Sequence, residues 1–103
     1  MTFNEILSML PTIEGLRGIE VLDSDKVIHQ IPAVEGKLGS LRVYNALAEQ
    51  FAEKLDRQSA EQGLIWFAEH TADAKANPGK HPNIDLLLKV IAQNLQYRLR
   101  RLK

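Results

Sequence analysis

The feature that most constrains this fold is a polar turn between two apolar runs. The turn, Asp23-Ser24-Asp25-Lys26, interrupts a stretch from Leu16 to Ile31 that is rich in aliphatic and β-branched residues. This pattern predicts a β-hairpin with Ser24 and Asp25 at its tip. The predicted cross-strand pairs are Val21 with Ile28, Leu22 with Val27, and Glu20 with His29.

Such a hairpin needs a partner in the fold. With these pairs each of its faces carries apolar side chains, so neither face can be left fully solvated. A two-stranded hairpin by itself is also marginally stable in water. The hairpin must therefore lie against helices or be extended by further strands, either from the same chain or from a second copy.

Helical patterns lie on both sides of the hairpin. The spacing of Thr2 and Glu5 is that of a capping box and predicts a short N-terminal helix, which Pro11 ends. After the hairpin, Ser40 is the predicted N-cap of a second helix. An apolar stripe at helical spacing continues from Leu41 to Leu55.

Two further helices are predicted in the second half of the chain. Ser59 and Gln62 repeat the capping-box spacing and predict a third helix that reaches about Ala76. Alternatively, the second and third helices are one bent helix that continues through Gly63. The Pro- and Gly-containing segment 77–82 then breaks the pattern. Apolar residues at helical spacing predict a final helix from Pro82 or Asn83 to Leu102.

These elements predict one α+β domain over residues 1–103, with a short helix, a hairpin and three helices packed over the hairpin. More than half of the chain should be helical. The composition agrees, because 103 residues with 45% apolar and 25% charged residues are typical of a single globular domain.

Composition also excludes several classes of function. The chain contains no cysteine, which removes disulfides, thiolate nucleophiles and Cys-ligated metal centres. No apolar run is long enough for a membrane span, and the first residues lack the basic and apolar regions of a signal peptide. We therefore expect a cytoplasmic protein without membrane contact.

Several short segments resemble a known family over the whole length of the chain. They are Gly39-Ser40-Leu41, Tyr44-Asn45-Ala46-Leu47, Phe67-Ala68-Glu69-His70 and the run from Pro78 to Asp85. The family consists of small uncharacterised bacterial proteins and is classed as a domain of unknown function. Because it has no assigned activity, the resemblance implies no catalytic residue.

The third predicted helix has an unusual polar face, which carries Trp66, Glu69, His70 and Asp73, with His81 after the following turn. This cluster could line a ligand pocket, hold a metal or contact a partner. Alternatively, the last helix or the N-terminal segment covers Trp66 and the polar residues are simply solvated. One His beside carboxylates lacks the spacing of a zinc signature, so we predict no metal and no cofactor.

The segment that precedes the second helix is a candidate anion site. Gly36, Lys37, Gly39 and Ser40 combine flexible backbone, a positive charge and a helix start. The order of residues is not that of a P-loop, and glycines before a helix are often ordinary loop residues.

The C-terminal segment is basic, with Arg98, Arg100, Arg101 and Lys103. No aromatic residue is interleaved with these four, and the chain has a pI of about 6.8. Nucleic-acid binding is therefore not expected.

The sequence thus predicts a non-catalytic cytoplasmic interaction or assembly module, most simply a homodimer, or one with a protein partner. Unpaired hairpin edges and an exposed Trp66 motivate this hypothesis. The alternative is a small metal- or ligand-dependent enzyme that uses Trp66, Glu69, His70, Asp73 and His81.

Overall fold

The structure, a computed structural model, describes residues 1–103. Its elements are α1 (Phe3–Leu7), β1 (Gly18–Asp23), β2 (Lys26–Pro32), α2 (Leu38–Gln50), β3 (Lys54–Leu55), α3 (Arg57–Trp66), α4 (Glu69–Ala76), α5 (Pro82–Gln93) and β4 (Tyr97–Leu102). Helices cover 47% of the chain and strands 20%. The predicted α+β class, with a short helix followed by a hairpin, is confirmed. The helical content is lower than expected because the C-terminal segment is a strand.

The four strands form one antiparallel sheet in the order β2-β1-β4-β3. At the hairpin tip, Leu22 pairs with Val27 as predicted. Beyond this pair a bulge adds Ile28 to β2, so that Val21 lies opposite His29 and Glu20 opposite Gln30. The predicted pairs of Val21 with Ile28 and of Glu20 with His29 are wrong, because the extra residue shifts the register by one.

The C-terminal strand β4 replaces the end of the predicted final helix. That helix stops at Gln93, and Asn94 adopts a left-handed conformation with φ of 51°. The amide of Leu95 then donates to the carbonyl of Val90 at 3.0 Å, as in a Schellman-type helix end. In β4, Leu99 pairs with Val21 and is buried. The second edge of β1 is therefore occupied by the same chain.

The two faces of the sheet differ in chemistry. Ile19, Ile31 and Leu99 belong to the buried core on the helical side. On the other face of the sheet, Glu20 accepts hydrogen bonds from Nε of Arg100 at 2.9 Å and Nε2 of Gln30 at 3.4 Å. The alternation along β1 and β4 thus separates an apolar face from a polar cross-strand group.

The boundaries of the second and third predicted helices are wrong. The apolar stripe from Leu41 predicted a helix to Leu55, but α2 ends at Gln50 and Leu55 lies in β3. Lys37, not Ser40, is the N-cap of α2. Asp56, not Ser59, caps α3, because the Asp56 carboxylate accepts from the Ser59 amide at 3.1 Å while Ser59 Oγ accepts from the Asp56 amide at 2.9 Å. The predicted third helix is two helices, α3 and α4, separated at Ala68, which has φ of 52°.

The core consists of 18 buried residues contributed by the sheet and by the helices around it. Gly63 of α3 allows close packing, since a Cβ there would lie 2.7 Å from Leu87 Cδ1 and 3.0 Å from Leu47 Cδ1. Leu47 is in α2 and Leu87 in α5, so this glycine fixes where three helices meet. None of the helices combines the length and the apolar character that a bilayer span requires.

Candidate functional site

A cleft of about 490 Å³ lies where the first residues of three helices meet α1, and its volume falls within the usual range of small-molecule sites. We call it the basic cleft, because Lys37, His70, Lys80 and His81 line it and no carboxylate does. Its full lining is Phe3, Asn4, Leu7, Gly36, Lys37, Leu38, Gly39, Ser40, Phe67, His70, Lys80, His81, Pro82, Asn83 and Ile84.

The helix α1 forms one wall of the basic cleft. The Phe3 ring stacks on Phe67 with centroids 5.7 Å apart and meets the edge of His70 at 4.8 Å. The Phe3 amide donates to Oε1 of Glu69 at 2.8 Å. Hydrogen bonds from the backbone amides of Glu69 and Phe3 keep the pKa of this carboxylate below its usual range. Glu69 therefore holds α1 against the body and does not line the cleft.

The segment before α2 forms a second wall. Gly36 has φ of +88°, a conformation that favours glycine. A Cβ at Gly39 would lie 3.0 Å from the Phe3 ring, so this glycine allows α1 to pack closely on the start of α2. No side chain caps α2, and its first residues, Leu38 and Ser40 among them, border the cleft. Their amides are the groups that bind anions at helix starts.

The start of α5 is fixed at the cleft by Asn83. The Tyr44 hydroxyl donates to the Asn83 carbonyl at 2.6 Å, and Nε2 of His29 lies 2.7 Å from the Asn83 side-chain oxygen. Complete burial raises the pKa of the Tyr44 phenol, which therefore stays protonated and able to donate. These contacts tie α5 to both α2 and β2.

The turn between α4 and α5 brings two basic side chains to the rim. His81 Nε2 lies 2.6 Å from Oδ2 of Asp73, and Lys80 Nζ lies 3.0 Å from the same oxygen. The hydrogen bond from His81, followed by that from Lys80, lowers the pKa of Asp73 to about 2. Asp73 lies outside the lining and orients both side chains, while it offsets part of their positive charge.

The structure brings the two predicted clusters together only in part. Lining residues from both are Gly36, Lys37, Gly39, Ser40, His70 and His81. Trp66 is half-buried against the core and does not line the cleft. It ends α3, whereas His70 belongs to α4, and the backbone break at Ala68 removes the shared face that a single helix would have given them.

Sequence reasoning missed Phe3, Lys80 and Asn83 as lining residues. A signal for Lys80 was present, since it immediately precedes His81 in the turn before α5. Phe3 gave none, because an apolar residue in the first turn of a helix is typical of core packing. Its place at the cleft follows from contacts with Phe67 and His70, which are distant in sequence.

The electrostatics of the cleft favour negative ligands. The helices α2, α4 and α5 all begin at it, and none has a side-chain N-cap. The amino end of a helix carries a partial positive charge. In α4 and α5 the first-turn carboxylates of Glu69 and Asp85 compensate for this charge, and Pro82 at the start of α5 has no amide N–H. The start of α2, together with Lys37 and Lys80, therefore supplies the main positive groups.

A cation site has less support in the side chains. No group of three or more His, Asp or Glu residues is arranged to hold a metal ion. A second hollow of about 500 Å³ lies beside the hairpin turn, where Asp25 and Asp56 balance Lys54 and Arg98. That hollow therefore has no charge preference of its own.

The basic C-terminal segment is partly neutralised within the fold. Arg100 forms an ion pair with Glu20, and Arg101 lies 3.7 Å from Glu49 and from Glu53. Along β4, Arg98 and Arg100 share one face and Arg101 lies on the other, so these side chains do not form one continuous basic stripe.

Fold and cleft together define a small α+β protein in which a four-stranded antiparallel sheet supports a cationic, helix-lined cleft. The chain belongs to the family described as "Uncharacterized protein conserved in bacteria (DUF2322)", whose model matches residues 3–101. This confirms the resemblance noted from the sequence. No curated protein and no solved structure is significantly similar to the chain.

Proposed function

We propose that this protein is a non-catalytic binding module that takes up an anionic group in the basic cleft. The observation that carries the proposal is the convergence of Lys37, Lys80, His70 and His81 with the uncapped start of α2 on a lining without carboxylates. Ammonium groups and free helix amides stabilise phosphates and carboxylates through charge-assisted hydrogen bonds. The proposal joins the predicted interaction module with the predicted anion site, and we place the module in the cytoplasm.

The positions of the carboxylates favour binding over catalysis. Glu69 is engaged by the Phe3 amide, and Asp73 is engaged by His81, Lys80 and the Asn77 side chain. The enzyme alternative would use these carboxylates as acid, base or metal ligand at the cleft. Since both are engaged outside its lining, that alternative has less support.

The test is a titration with inorganic pyrophosphate followed by amide NMR. We expect saturable shifts at Lys37 to Ser40 and at His70 and His81. The double substitution Lys37→Gln and Lys80→Gln should weaken binding at least tenfold, since it removes both full positive charges. The matched control is Lys89→Gln on the exposed part of α5, which should leave affinity unchanged. Equal weakening by the control, or shifts that do not saturate, would contradict the proposal.

Self-association is a second candidate, and the outer edge of β2 favours it. This strand is an edge strand of the sheet, and Ile28 at its bulge is 36% exposed. The other two predicted contacts have less support, because β4 occupies the second edge of β1 and Trp66 is half-buried. The bulge and Pro32 are also features that commonly protect edge strands from pairing.

Light scattering at micromolar concentration tests this second candidate. A homodimer would give twice the chain mass of 11.6 kDa, and Ile28→Lys would return it to one chain mass. A single chain mass up to near-millimolar protein would exclude self-association through β2.

A further inference from the structure

We propose that the ligand of the basic cleft is an amphipathic organic anion, with a phosphate or carboxylate at the cationic side and an apolar body against α1 and Leu38. This inference rests on the proposed function, because it names the class of ligand for the same cleft.

Part of the cleft lining is apolar, and we call Phe3, Leu7 and Leu38 its apolar wall. Phe3 and Leu7 of α1 lie beside the start of α2, since a Cβ at Gly39 would lie 3.0 Å from the Phe3 ring and 3.5 Å from Leu7 Cδ1. Leu38 is 44% exposed, and Phe3 and Leu7 are only partly buried. Exposed apolar surface beside a concave polar site is the typical lining of a small-molecule pocket.

The contacts of α1 hold the apolar wall in place and leave the cleft beside it open. Phe3 is fixed by its stack on Phe67 and by the Glu69 hydrogen bond, while Arg42 donates to the carbonyls of Leu10 and Pro11. The helix α1 is therefore attached at its first residue, and the segment that follows it is attached at Leu10 and Pro11. A preformed wall lowers the ordering cost of binding.

The volume of the cleft also favours an organic ligand. At roughly 30 Å³ for each water in the liquid, about 490 Å³ is far more space than a simple inorganic anion and its few bound waters require. Such an ion would contact the basic residues and leave Leu7 and Leu38 against water. An apolar group attached to the anion would cover them, and each buried CH₂-sized group adds roughly 0.8 kcal/mol.

The experiment compares phenyl phosphate and phenylacetate with inorganic phosphate and phenol in the same NMR titration. At least one of the two amphipathic anions should bind at least tenfold more tightly than both inorganic phosphate and phenol. The difference between the affinities of phenyl phosphate and phenylacetate will show whether phosphate or carboxylate is the preferred anion. Binding should shift amides in both α1 and the segment 37–40.

Substitution of the apolar wall provides the matched control. Leu38→Ser should weaken phenyl phosphate or phenylacetate binding at least fivefold more than it weakens inorganic phosphate binding, because the substitution removes the apolar side chain and keeps the backbone amide. Val34 lies outside the lining and is 47% exposed, which is comparable with Leu38. Val34→Ser should therefore leave the affinities for the amphipathic anions and for inorganic phosphate unchanged. A urea melt of both variants would show that each remains folded.

The outcomes separate the two proposals. If inorganic phosphate and the amphipathic anions bind equally, the ligand class proposed here is wrong and the anion module stands. If phenol binds as tightly as phenyl phosphate, the anionic requirement of both proposals is wrong. If none of the anions binds saturably, both are wrong.

Discussion

Leu99 and Leu102 provide the sharpest test of the fold, because a helix and a strand assign them different environments. In a C-terminal helix both would face the core at neighbouring turns. In β4 they have opposite orientations, since residues separated by an odd number of positions point to different faces. Leu99 is 1% exposed within the core, whereas Leu102 at the end of the strand is only partly buried.

The expected losses can be worked from these burials. Leu99→Ala removes three carbon groups at about 0.8 kcal/mol each, a little over 2 kcal/mol, and the cavity left beside Val21 raises the loss to about 3–4 kcal/mol. Leu102→Ala removes carbons that already contact water, so we expect about 1 kcal/mol or less. A domain with about 5–15 kcal/mol of stability can tolerate either change.

Equilibrium unfolding in urea with far-UV circular dichroism measures both losses. The slope of the transition should be the same in the parent and both variants, so that the midpoints report stability alone. The thermal midpoints should differ by at least 8 °C or so between the two variants, at about 4–8 °C for each kcal/mol. Equal losses for Leu99→Ala and Leu102→Ala would refute the strand assignment of β4.

Three further perturbations test individual features. Ala68 has φ of 52° and ψ of −122°, so Ala68→Gly should raise stability by about 0.5–1.5 kcal/mol in urea melts, and a loss would contradict backbone strain there. Glu20→Gln removes the ion pair with the half-exposed Arg100 and should cost about 0.5–1 kcal/mol at low salt, with a smaller difference in 1 M salt; a salt-independent loss would contradict an ionic origin. Asp73 has a pKa of about 2 in the folded protein against 3.8 ordinarily, so its ionised form stabilises the fold above about pH 4. The stability difference between the parent and Asp73→Asn should therefore be constant near neutral pH and shrink as pH falls from about 4 to 2, and a difference that persists at pH 2 would contradict this linkage.

The hairpin was predictable because its signals are local. A polar turn between β-branched runs determines the tip, and the pairing of Leu22 with Val27 follows from it. The bulge at Ile28 was not predictable, because it depends on which residues of β2 must face α5. With the bulge, His29 reaches Asn83, a residue far away in sequence.

The C-terminal strand was missed because Leu95, Leu99 and Leu102 continue the helical spacing of α5. The competing signal was the alternation of Tyr97 and Leu99 with Arg98 and Arg100 after Asn94. Asn is a common residue at left-handed helix ends, so Asn94 was a local signal for the end of α5. Periodicity alone could not choose, since the deciding contact is with β1.

The halves of the candidate site were each visible in the sequence, but their proximity was not. The segment 36–40 suggested anion binding, and His70 with His81 suggested a polar cluster. The proximity of the segment 36–40 to the two histidines depends on Asn83, which Tyr44 holds at the start of α5. It also depends on the break at Ala68, which directs His70 to the cleft and leaves Trp66 against the core.

The central position of β1 has a consequence for the order of folding. Its first partner, β2, is adjacent in the chain, but its second partner, β4, pairs Gly18 with Leu102. The hairpin can therefore form early, whereas the sheet closes only when residues 97–102 are also present. Long-range antiparallel pairing of this kind slows folding, because the chain loses the entropy of closing a long loop before the strand-pairing contacts stabilise it. During synthesis on the ribosome, β1 would keep one edge open until the residues of β4 emerge, and this open edge exposes the chain to aggregation.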